Sequence, residues 1–331
     1  MSKPIAIMGT GSWGTTFAHL LDQGNNPIQI WGNDLEVISS IKSTRSNHKY
    51  HSEIVFSPQV EPMETPDLAL SNSQLVVLAM PAQRLRENLE AWAKTVPTDA
   101  IVISLIKGLE HDTGLRVSQV VKQHLSNPFG VISGPNLATE IAAGQMAAST
   151  VASEDEGVAI QIQELCSSPR FKLFRSSDVI GVEIAGTTKN IIALATGIAI
   201  GLGLGENAQS AILTRGLSEM AKIGVAAGGS QKTFLGLSGI GDLIATSQSP
   251  YSRNRTFGVL LGQGKSMSEA KIQIGQTVEA MQSTEPILQL AHLHQLDVPV
   301  ISQVSQILNG LALPESILEI FESSSHQVEN Y

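Results

Sequence analysis

Three glycines near the start of the chain, between an apolar run and a helical pattern, constrain its fold most. Residues 5–8 are apolar, and Gly9, Gly11 and Gly14 follow with the spacing G-x-G-x-x-G. The first glycine permits a tight strand-to-helix turn, the second lets main chain approach a pyrophosphate, and the third allows the helix to pack on the strand. Unpaired N–H groups at the helix start then face the phosphate charge. A helix over residues 13–23, ending at Gly24 as a left-handed cap, and a second strand over residues 28–31 complete a dinucleotide-binding unit.

Alternating apolar runs and helical patterns continue to about residue 178. Strands are predicted at residues 75–80, 101–104, 131–133, 147–152 and 171–174, with helices near residues 83–93, 115–125 and 155–166. Continuous apolar strands followed by helices indicate a parallel, doubly wound sheet. From residue 179 the strand pattern stops, and helices are predicted at residues 191–200, 210–227, 267–274, 283–294 and 299–309. We therefore expect an α/β protein with an N-terminal Rossmann-type doubly wound sheet (residues 1–178) and an all-α C-terminal domain (residues 179–331).

Composition excludes several classes of function. The formal net charge of -9 leaves no broad cationic surface for nucleic acid. Cys166 is the single cysteine, so no intrachain disulfide or thiolate metal cluster can form, and the scattered histidines predict no metal site. The apolar segment 191–205 is shorter than the ~18 to 20 residues of a membrane span and favours a buried helix. With no room for a signal peptide before the first strand, we expect a cytoplasmic protein without membrane insertion.

The end of the second predicted strand is where a Rossmann protein distinguishes its cofactors. An acidic side chain there binds the adenosine 2′-hydroxyl and repels a 2′-phosphate. Asp34 is one candidate, but Asn33 and Glu36 also form a helix-capping pair, which would place Asp34 in the first turn, and we favour this capping interpretation. Because Asn33 is uncharged, the sequence leaves NAD and NADP both open.

Polar residues follow several predicted strands or begin predicted helices. Lys107 follows a strand at the carboxyl edge of the sheet, where ligands bind, and is either a surface lysine or a residue of the binding site. The run Ser-Gly-Pro-Asn begins a predicted helix, where its main-chain N–H groups could bind an anion or a cofactor amide; the alternative is an ordinary helix start with Asn136 as the cap. Lys189 is predicted to open the most apolar helix, where the helix dipole and desolvation would both lower its pKa and suit it to acid–base chemistry; a lysine stem that reaches solvent is the alternative.

Two further runs lie in the helical part of the chain. Asp242 lies on a predicted tight turn, and ten residues later Ser252, Arg253 and Asn254 begin a polar and basic cluster. The planar fork of arginine can donate two parallel hydrogen bonds to a phosphate, so the cluster is a candidate phosphate site, although a solvated loop has the same composition. Residues 275–279, Gly-Gln-Thr-Val-Glu, predict a turn that leads into a helix. The run by itself indicates no chemical role.

Taken together, these motifs closely resemble bacterial NAD(P)-dependent glycerol-3-phosphate dehydrogenase. The resemblance rests on GTGSWG, WGND, KGLE, SGPN, GTTKN, GIGDL, SRNR and GQTVE, in the same order and spacing over about residues 5–310. It implies reversible reduction of dihydroxyacetone phosphate to sn-glycerol 3-phosphate by NADH or NADPH, which supplies the backbone of phospholipids.

The resemblance also implies roles for individual residues. Lys189 would be the catalytic acid/base. Substrate would contact Lys107, Gly134, Asn136, Lys189, Asn190, Asp242, Thr246, Ser252, Arg253 and Asn254. The cofactor would contact Gly9, Gly11, Ser12, Trp13, Gly14, Asn33, Lys107, Ala138, Arg253, Thr277 and Glu279. Family members often carry histidine or arginine at the position of Asn33 and serine or threonine at that of Asn136, so this chain departs from the pattern at both.

We expect a small-molecule substrate as partner. A second copy of the chain is a further predicted partner, since the helical domain is apolar enough to include a dimer interface. Two other functions share some of these features. A reductase of a hydroxy acid or branched keto acid would share the first domain and a lysine acid, but its carboxylate substrate needs no phosphate cluster. A nicotinamide-binding sensor would not require Lys189.

Overall fold

The computed structural model describes residues 3–24 and 26–322, so the last nine residues of the predicted helical domain, 323–331, lie outside the described residues. Contacts between residues divide the chain into two compact units. The first comprises the chain up to Ile106 together with Arg116–Val179, and the second comprises Lys107–Leu115 together with the chain from Ile180 onward. Residues 107–115 therefore belong to the second unit, whereas one uninterrupted N-terminal domain was predicted.

The first unit is built on an eight-stranded sheet with the order β3-β2-β1-β4-β5-β6-β7-β8. The first six strands have the order of a doubly wound dinucleotide-binding sheet. The strands are β1 (Ile5–Met8), β2 (Ile28–Trp31), β3 (Val60–Pro62), β4 (Leu75–Leu78), β5 (Ile101–Ser104), β6 (Phe129–Ser133), β7 (Ala147–Ala152) and β8 (Phe171–Ser176). The central strands β1, β4 and β5 are buried along their whole length, which explains their continuous apolar sequences.

Helices connect these strands. They are α1 (Ser12–Asp22), α2 (Leu35–Thr44), α3 (Pro66–Leu70), α4 (Leu85–Trp92), α5 (Val117–His124), α6 (Ala138–Ala142) and α7 (Glu156–Cys166). Short 3₁₀ turns at Ala82–Arg84 and Ala93–Thr95 flank α4. Phe17 of α1 packs edge-to-face on Phe171 of β8, so the first helix helps to close the core over the sheet.

Three details of the first unit differ from the sequence predictions. The pairing of β6 with β7 is antiparallel, whereas a fully parallel sheet was expected. The short strand β3, which contains Pro62 and pairs only with β2, was not predicted. Finally, α1 ends at Asp22 with Gln23 as its C-cap in the right-handed region, and Gly24 does not adopt a left-handed conformation.

The second unit is helical. Its helices are α8 (Val179–Gly201), α9 (Glu206–Ala226), α10 (Gln231–Phe234), α11 (Asp242–Gln248), α12 (Arg253–Gly262), α13 (Met267–Ile274), α14 (Glu279–Leu293), α15 (Pro299–Leu308) and α16 (Glu319–Glu322), with a 3₁₀ turn at Pro314–Leu318. The 23-residue helix α8 is long and apolar enough to cross a membrane, with a mean hydropathy of 1.3, but 89% of that stretch is buried inside the protein. This burial confirms the prediction of a core helix.

Close backbone contact joins α8 to α12. Added Cβ atoms at Gly197 and Gly201 of α8 would lie 2.1 and 2.2 Å from main-chain oxygens of α12. Conversely, Cβ atoms at Gly258 and Gly262 of α12 would lie 2.2 and 2.3 Å from main-chain oxygens of α8. Since a Cβ fits at none of these positions, the four glycines set the distance between the two helices.

Candidate active site

Two lysines share one buried carboxylate in the second unit. Lys107 Nζ lies 2.7 Å from Asp242 Oδ2, and Lys189 Nζ lies 2.8 Å from Asp242 Oδ1. Thr246 completes the group, because its hydroxyl lies 2.6 Å from Lys189 Nζ and donates to Asp242 Oδ1 at 3.0 Å. Asp242 is 1% exposed and Lys189 is 6% exposed. Three predicted site residues, Lys107, Lys189 and Thr246, are therefore brought together around the buried carboxylate of a fourth, Asp242.

Burial and mutual charge shift the pKa values of this cluster. Burial lowers the pKa of Lys107 to about 8, and the positive charge of Lys189 acts in the same direction, while Asp242 opposes both. Burial acts to raise the pKa of the Asp242 carboxyl, but the two lysines outweigh it and the pKa is lowered. The carboxylate therefore stays ionised at neutral pH, and the positive charge of Lys107 is lost as the pH rises through about 8.

An irregular turn positions Asp242. Residues Leu237–Gly241 form a π-helical turn, and Asp242 is the first residue of α11, with Thr246 one turn later. Gly239 within the turn has non-helical dihedral angles, and a Cβ there would lie 2.2 Å from the main-chain oxygen of Phe234. The predicted tight turn is thus part of a distorted helix, a feature frequent at functional sites.

The position of Lys189 corrects the sequence prediction. Lys189 lies in the middle of α8, which begins at Val179, and not at the start of a helix near residue 191. The argument from the dipole at a helix start is therefore wrong. What distinguishes this lysine is its burial beside Asp242 and Thr246.

The predicted phosphate cluster begins α12. Ser252 is the N-cap of this helix, and its hydroxyl accepts a hydrogen bond from the main-chain N–H of Arg255. Arg253 is the first residue of the helix, is half-buried, and reaches the side-chain oxygen of Gln276 at 3.4 Å. Asn254 is buried and donates to Asn190 Oδ1 at 2.9 Å, next to Lys189 on α8. Ser252, Arg253 and Asn254 are thus linked to the lysine cluster through Asn190.

Glu279 connects the run Gly-Gln-Thr-Val-Glu to the same region. It is the first residue of α14, as the predicted turn into a helix required. Burial raises the pKa of its carboxyl, while Arg253 and Lys189 act to lower it. Thr277, two residues earlier, is exposed. Glu279 therefore interacts electrostatically with both the arginine of the phosphate cluster and the candidate acid.

The glycine turn of the first unit has the shape that a dinucleotide requires. Gly9 has φ +135°, and a Cβ there would lie 2.2 Å from the carbonyl oxygen of Ala79; at Gly14 it would lie 2.1 Å from the carbonyl oxygen of Gly9. At Gly11, by contrast, such a Cβ would have no contact within 4 Å among the described residues beyond its chain neighbours and the backbone of its own helix. Gly9 and Gly14 therefore serve the turn and the packing, and Gly11 leaves space for a ligand.

The start of α1 and its first side chains also fit a dinucleotide. Gly11 is the N-cap and supplies no side chain to the first N–H groups of the helix, and the first turn has no acidic residue. Trp13 Nε1 is buried and has no hydrogen-bond partner among the described residues. The donors and the open space at this turn thus match the needs of a pyrophosphate.

Asp34 caps the second helix directly. Its side chain accepts hydrogen bonds from the N–H groups of Glu36 and Val37, and Lys49 binds its other oxygen at 2.7 Å. The predicted cap was Asn33, so the capping interpretation is right for the region and wrong in the residue. Asn33 is exposed at the end of β2. Lys49 was missed, since nothing local marks a partner fifteen residues away in the sequence.

The run Ser-Gly-Pro-Asn follows β6 in the first unit. Gly134 has φ +154°, and a Cβ there would lie 2.8 Å from Ser149 Cα, so only glycine fits. Asn136 is buried, but the N-cap of α6 is Leu137 and not Asn136, so the predicted helix cap is wrong. Ala138 is the first residue of α6. These three residues belong to the first unit, whereas the residues of the lysine cluster belong to the second.

The chain matches two family models, described as the N-terminus and the C-terminus of NAD-dependent glycerol-3-phosphate dehydrogenase, over residues 4–159 and 178–319. The glycerol-3-phosphate dehydrogenase (NAD(P)+) of Thermobifida fusca is 42% identical over 332 residues, which cover 99% of this chain and 98% of that protein. The second such enzyme of Mycobacterium tuberculosis is 41% identical over 96% of both chains.

A solved structure adds to these matches. The crystal structure of glycerol-3-phosphate dehydrogenase from Coxiella burnetii superimposes with a TM-score of 0.93 and 33% identity, over 98% of this chain and 99% of the other. Two family models that together span both units, close relatives of full length and a matching structure agree with one another. The chain belongs to the family of NAD-dependent glycerol-3-phosphate dehydrogenases.

Proposed function

We propose that this chain reversibly reduces dihydroxyacetone phosphate to sn-glycerol 3-phosphate with NADH or NADPH, and that Lys189 is its general acid/base. The observation that carries the proposal is the pair of lysines on the Asp242 carboxylate, linked through Asn190 and Asn254 to a cluster suited to phosphate. A ketone that accepts hydride needs a proton on its oxygen, and a buried ammonium group can supply it.

Each member of the lysine cluster has a role in this proposal. When bound, the reduced nicotinamide supplies hydride to the carbonyl carbon. Lys189 Nζ donates its proton to the carbonyl oxygen as the C=O bond becomes C–OH, and takes the proton back in the reverse reaction. Lys107 orients the same end of the substrate, together with Thr246 and Asn190. Asp242 compensates the charge of both ammonium groups, so that they can remain cationic away from water.

The phosphate of the substrate would bind Ser252, Arg253 and Asn254 at the start of the ten-residue helix α12. Arginine can donate two parallel hydrogen bonds to a phosphate, and the N-terminal end of a helix favours negative charge. Binding energy gained at the phosphate orients the carbonyl relative to the acid, which raises the rate of the chemical step. Gly134 and Asn136 of the first unit are further proposed substrate contacts.

We propose that the cofactor binds to Gly9, Gly11, Ser12, Trp13 and Gly14, with further contacts from Asn33, Lys107, Ala138, Arg253, Thr277 and Glu279. The environment of Asp34 supports acceptance of both cofactors. Its carboxylate is engaged by the N-terminus of α2 and by Lys49, so a 2′-phosphate there would meet a paired acid and an ammonium group.

The proposal extends to the setting of the reaction. We propose that the product serves glycerophospholipid synthesis in the cytoplasm and that the protein works as a homodimer. Leu311 and Leu313 of the second unit are exposed, and contact with a second copy of the chain would bury them. Light scattering on the purified protein tests the dimer.

Oxidation of NADH and of NADPH by the purified protein, measured separately with dihydroxyacetone phosphate and with unphosphorylated dihydroxyacetone, tests the function. We expect turnover with the phosphorylated ketone only, and with both cofactors. Equal turnover of the two ketones would contradict the proposed phosphate site. If neither ketone is reduced with either cofactor, the proposed function is wrong.

A further inference from the structure

A buried histidine connects the glycine turn to a carboxylate. His51 is 3% exposed, and its Nε2 lies 2.8 Å from the hydroxyl of Ser12. Its Nδ1 lies 2.9 Å from Glu53 Oε1. Neither His51 nor Glu53 was singled out by the sequence, because the contact with Ser12 joins residues 39 positions apart.

The hydroxyl of Ser12 is placed where a dinucleotide phosphate is expected. Ser12 is the first residue of α1 and directly follows Gly11, where the turn leaves open space. The inference drawn from this contact rests on the proposed function, and in particular on pyrophosphate binding at this turn.

The loop that carries His51 is tied to the same turn. Asn47 donates from its side chain to the main-chain oxygen of Thr10 at 2.9 Å and to the hydroxyl of Thr15 at 2.8 Å. The main-chain N–H of His51 in turn donates to the carbonyl oxygen of Asn47. The imidazole is therefore held against Ser12 by the loop backbone as well as by its own ring contacts.

The protonation state of His51 decides which way the hydrogen bond with Ser12 runs. A carboxylate can only accept, so Nδ1 of His51 carries the proton toward Glu53. In the neutral ring Nε2 is then an acceptor, and it takes the single proton of the Ser12 hydroxyl. When the ring takes up a proton at Nε2, that N–H donates to Ser12 Oγ, and the hydroxyl proton becomes available for another acceptor.

We propose that His51 is a positioning residue for the cofactor: protonation at Nε2 releases the Ser12 hydroxyl proton to a phosphate oxygen of the dinucleotide and so strengthens binding of NADH and NADPH. Binding and protonation are then linked, so binding of the dinucleotide is accompanied by uptake of a proton from solvent at Nε2 of His51. NADH and NADPH should respond alike, because both contain the same pyrophosphate.

The titratable groups Glu53 and His19 both interact with the imidazole. Glu53 contacts Nδ1 of the ring, and the pKa of its carboxyl is lowered, chiefly by a backbone hydrogen bond and in part by His51. His19 of α1 interacts electrostatically with His51; burial lowers the pKa of His19, Asp22 acts to raise it, and His51 lowers it further. Of the two neighbours, Glu53 lies within hydrogen-bonding distance and sets the tautomer.

The test is the dissociation constant of NADH, measured by its fluorescence on the protein without substrate at about pH 6 and about pH 8. For the unmodified protein we expect binding about tenfold tighter at the lower pH, the size of one charge-assisted hydrogen bond. His51→Gln, which does not titrate, should remove this dependence. The exposed neighbour His48 provides the matched control, and His48→Gln should keep it.

Calorimetry in two buffers of different ionisation enthalpy gives a second readout. It should record proton uptake with NADH for the unmodified protein and for His48→Gln, and none for His51→Gln. Ser12→Ala should also remove the pH dependence while His51 is intact, which separates the hydroxyl from a general effect of charge.

Different outcomes overturn the inference and the function. A pH-independent dissociation constant in the unmodified protein, or a dependence that survives in His51→Gln or Ser12→Ala, overturns the role of His51 and leaves the function standing. The absence of NADH and NADPH binding at every pH overturns the proposed function itself.

Discussion

The side chain of Asn254 donates a hydrogen bond of 2.9 Å to the side-chain oxygen of Asn190, and so joins the first turn of α12 to the middle of α8. The same amide also accepts a hydrogen bond of 3.0 Å from the N–H of Ala280 at the start of α14. One buried side chain therefore connects the candidate phosphate cluster, the helix of the candidate acid and the helix of Glu279.

Asn254→Ala should lower the free energy of unfolding by about 1–3 kcal/mol, because it leaves buried polar groups on α8 and α14 without their partner. Urea denaturation measures the change. Thr214→Ala, on an exposed position of α9, is the control and should stay within about 0.5 kcal/mol. Equal free energies of unfolding for the two variants would show that the hydrogen bonds of Asn254 do not stabilise the fold.

Lys189→Ala should reduce kcat at least about 100-fold, because it removes the proton donor of the reduction. Asp242 would still be paired with Lys107, so the buried carboxylate keeps a counter-ion and the dissociation constant of NADH should change little. Steady-state kinetics and NADH titration measure the two effects. The exposed Lys232, replaced by alanine, should leave both unchanged; near-normal turnover in Lys189→Ala would take this lysine out of the mechanism.

Arg253→Ala should raise the KM for dihydroxyacetone phosphate by about 10- to 100-fold, since a charge-assisted hydrogen bond to the phosphate is lost. The control is the exposed Arg84→Ala, which should leave this KM unchanged. NADH binding is titrated in parallel, because Arg253 is also a proposed cofactor contact. An unchanged KM would place the phosphate elsewhere.

The sequence predicted the doubly wound sheet well because its signals are local. The strands predicted at β1, β2 and β5 match the observed strands residue for residue, because most of their residues are apolar and buried. The antiparallel pairing of β7 with β6 could not be predicted, because the apolar pattern of a strand does not record its direction.

The site was harder to predict, because its contacts are long-range. The run Gly-Thr-Thr-Lys-Asn contains weak helix formers, so the helix was predicted to begin after it, whereas α8 begins at Val179. Burial of Thr187 and Thr188 outweighs their low helix propensity. Lys189 and Asp242 are 53 residues apart, and no periodicity connects them. Only the resemblance to a known family predicted that these residues belong to one site.

The pH dependence of the reduction should report Lys107. Its pKa is lowered to about 8, so its positive charge is lost as the pH rises through that value, and kcat/KM for reduction should fall. In Lys107→Arg the charge persists to higher pH, so the fall should move upward, leaving only the titration of other groups. Rates from about pH 6.5 to 9.5 measure this, and the same midpoint in both proteins would contradict it.

A buried carboxylate outside the site should make stability depend on pH. Glu219 is 3% exposed and accepts hydrogen bonds from the N–H groups of Val300 and Ile301 at the start of α15, at 2.7 and 3.1 Å. Burial raises its pKa to about 8. Between the unfolded value of about 4.3 and this value the folded protein binds more protons than the unfolded chain. The free energy of unfolding contributed by Glu219 therefore falls as the pH rises across this range.

Glu219→Gln removes this titration but leaves one of the two N–H groups facing an amide donor, which costs about 1–3 kcal/mol at low pH. Because the wild type alone then loses stability as the pH rises, the difference between the two proteins should shrink by at least about 1 kcal/mol between about pH 5 and pH 8. Urea denaturation at both pH values measures it, with the exposed Glu90→Gln as the control that should show no such change. A constant gap between Glu219→Gln and the wild type would mean that Glu219 has the same proton affinity in the folded and unfolded chains.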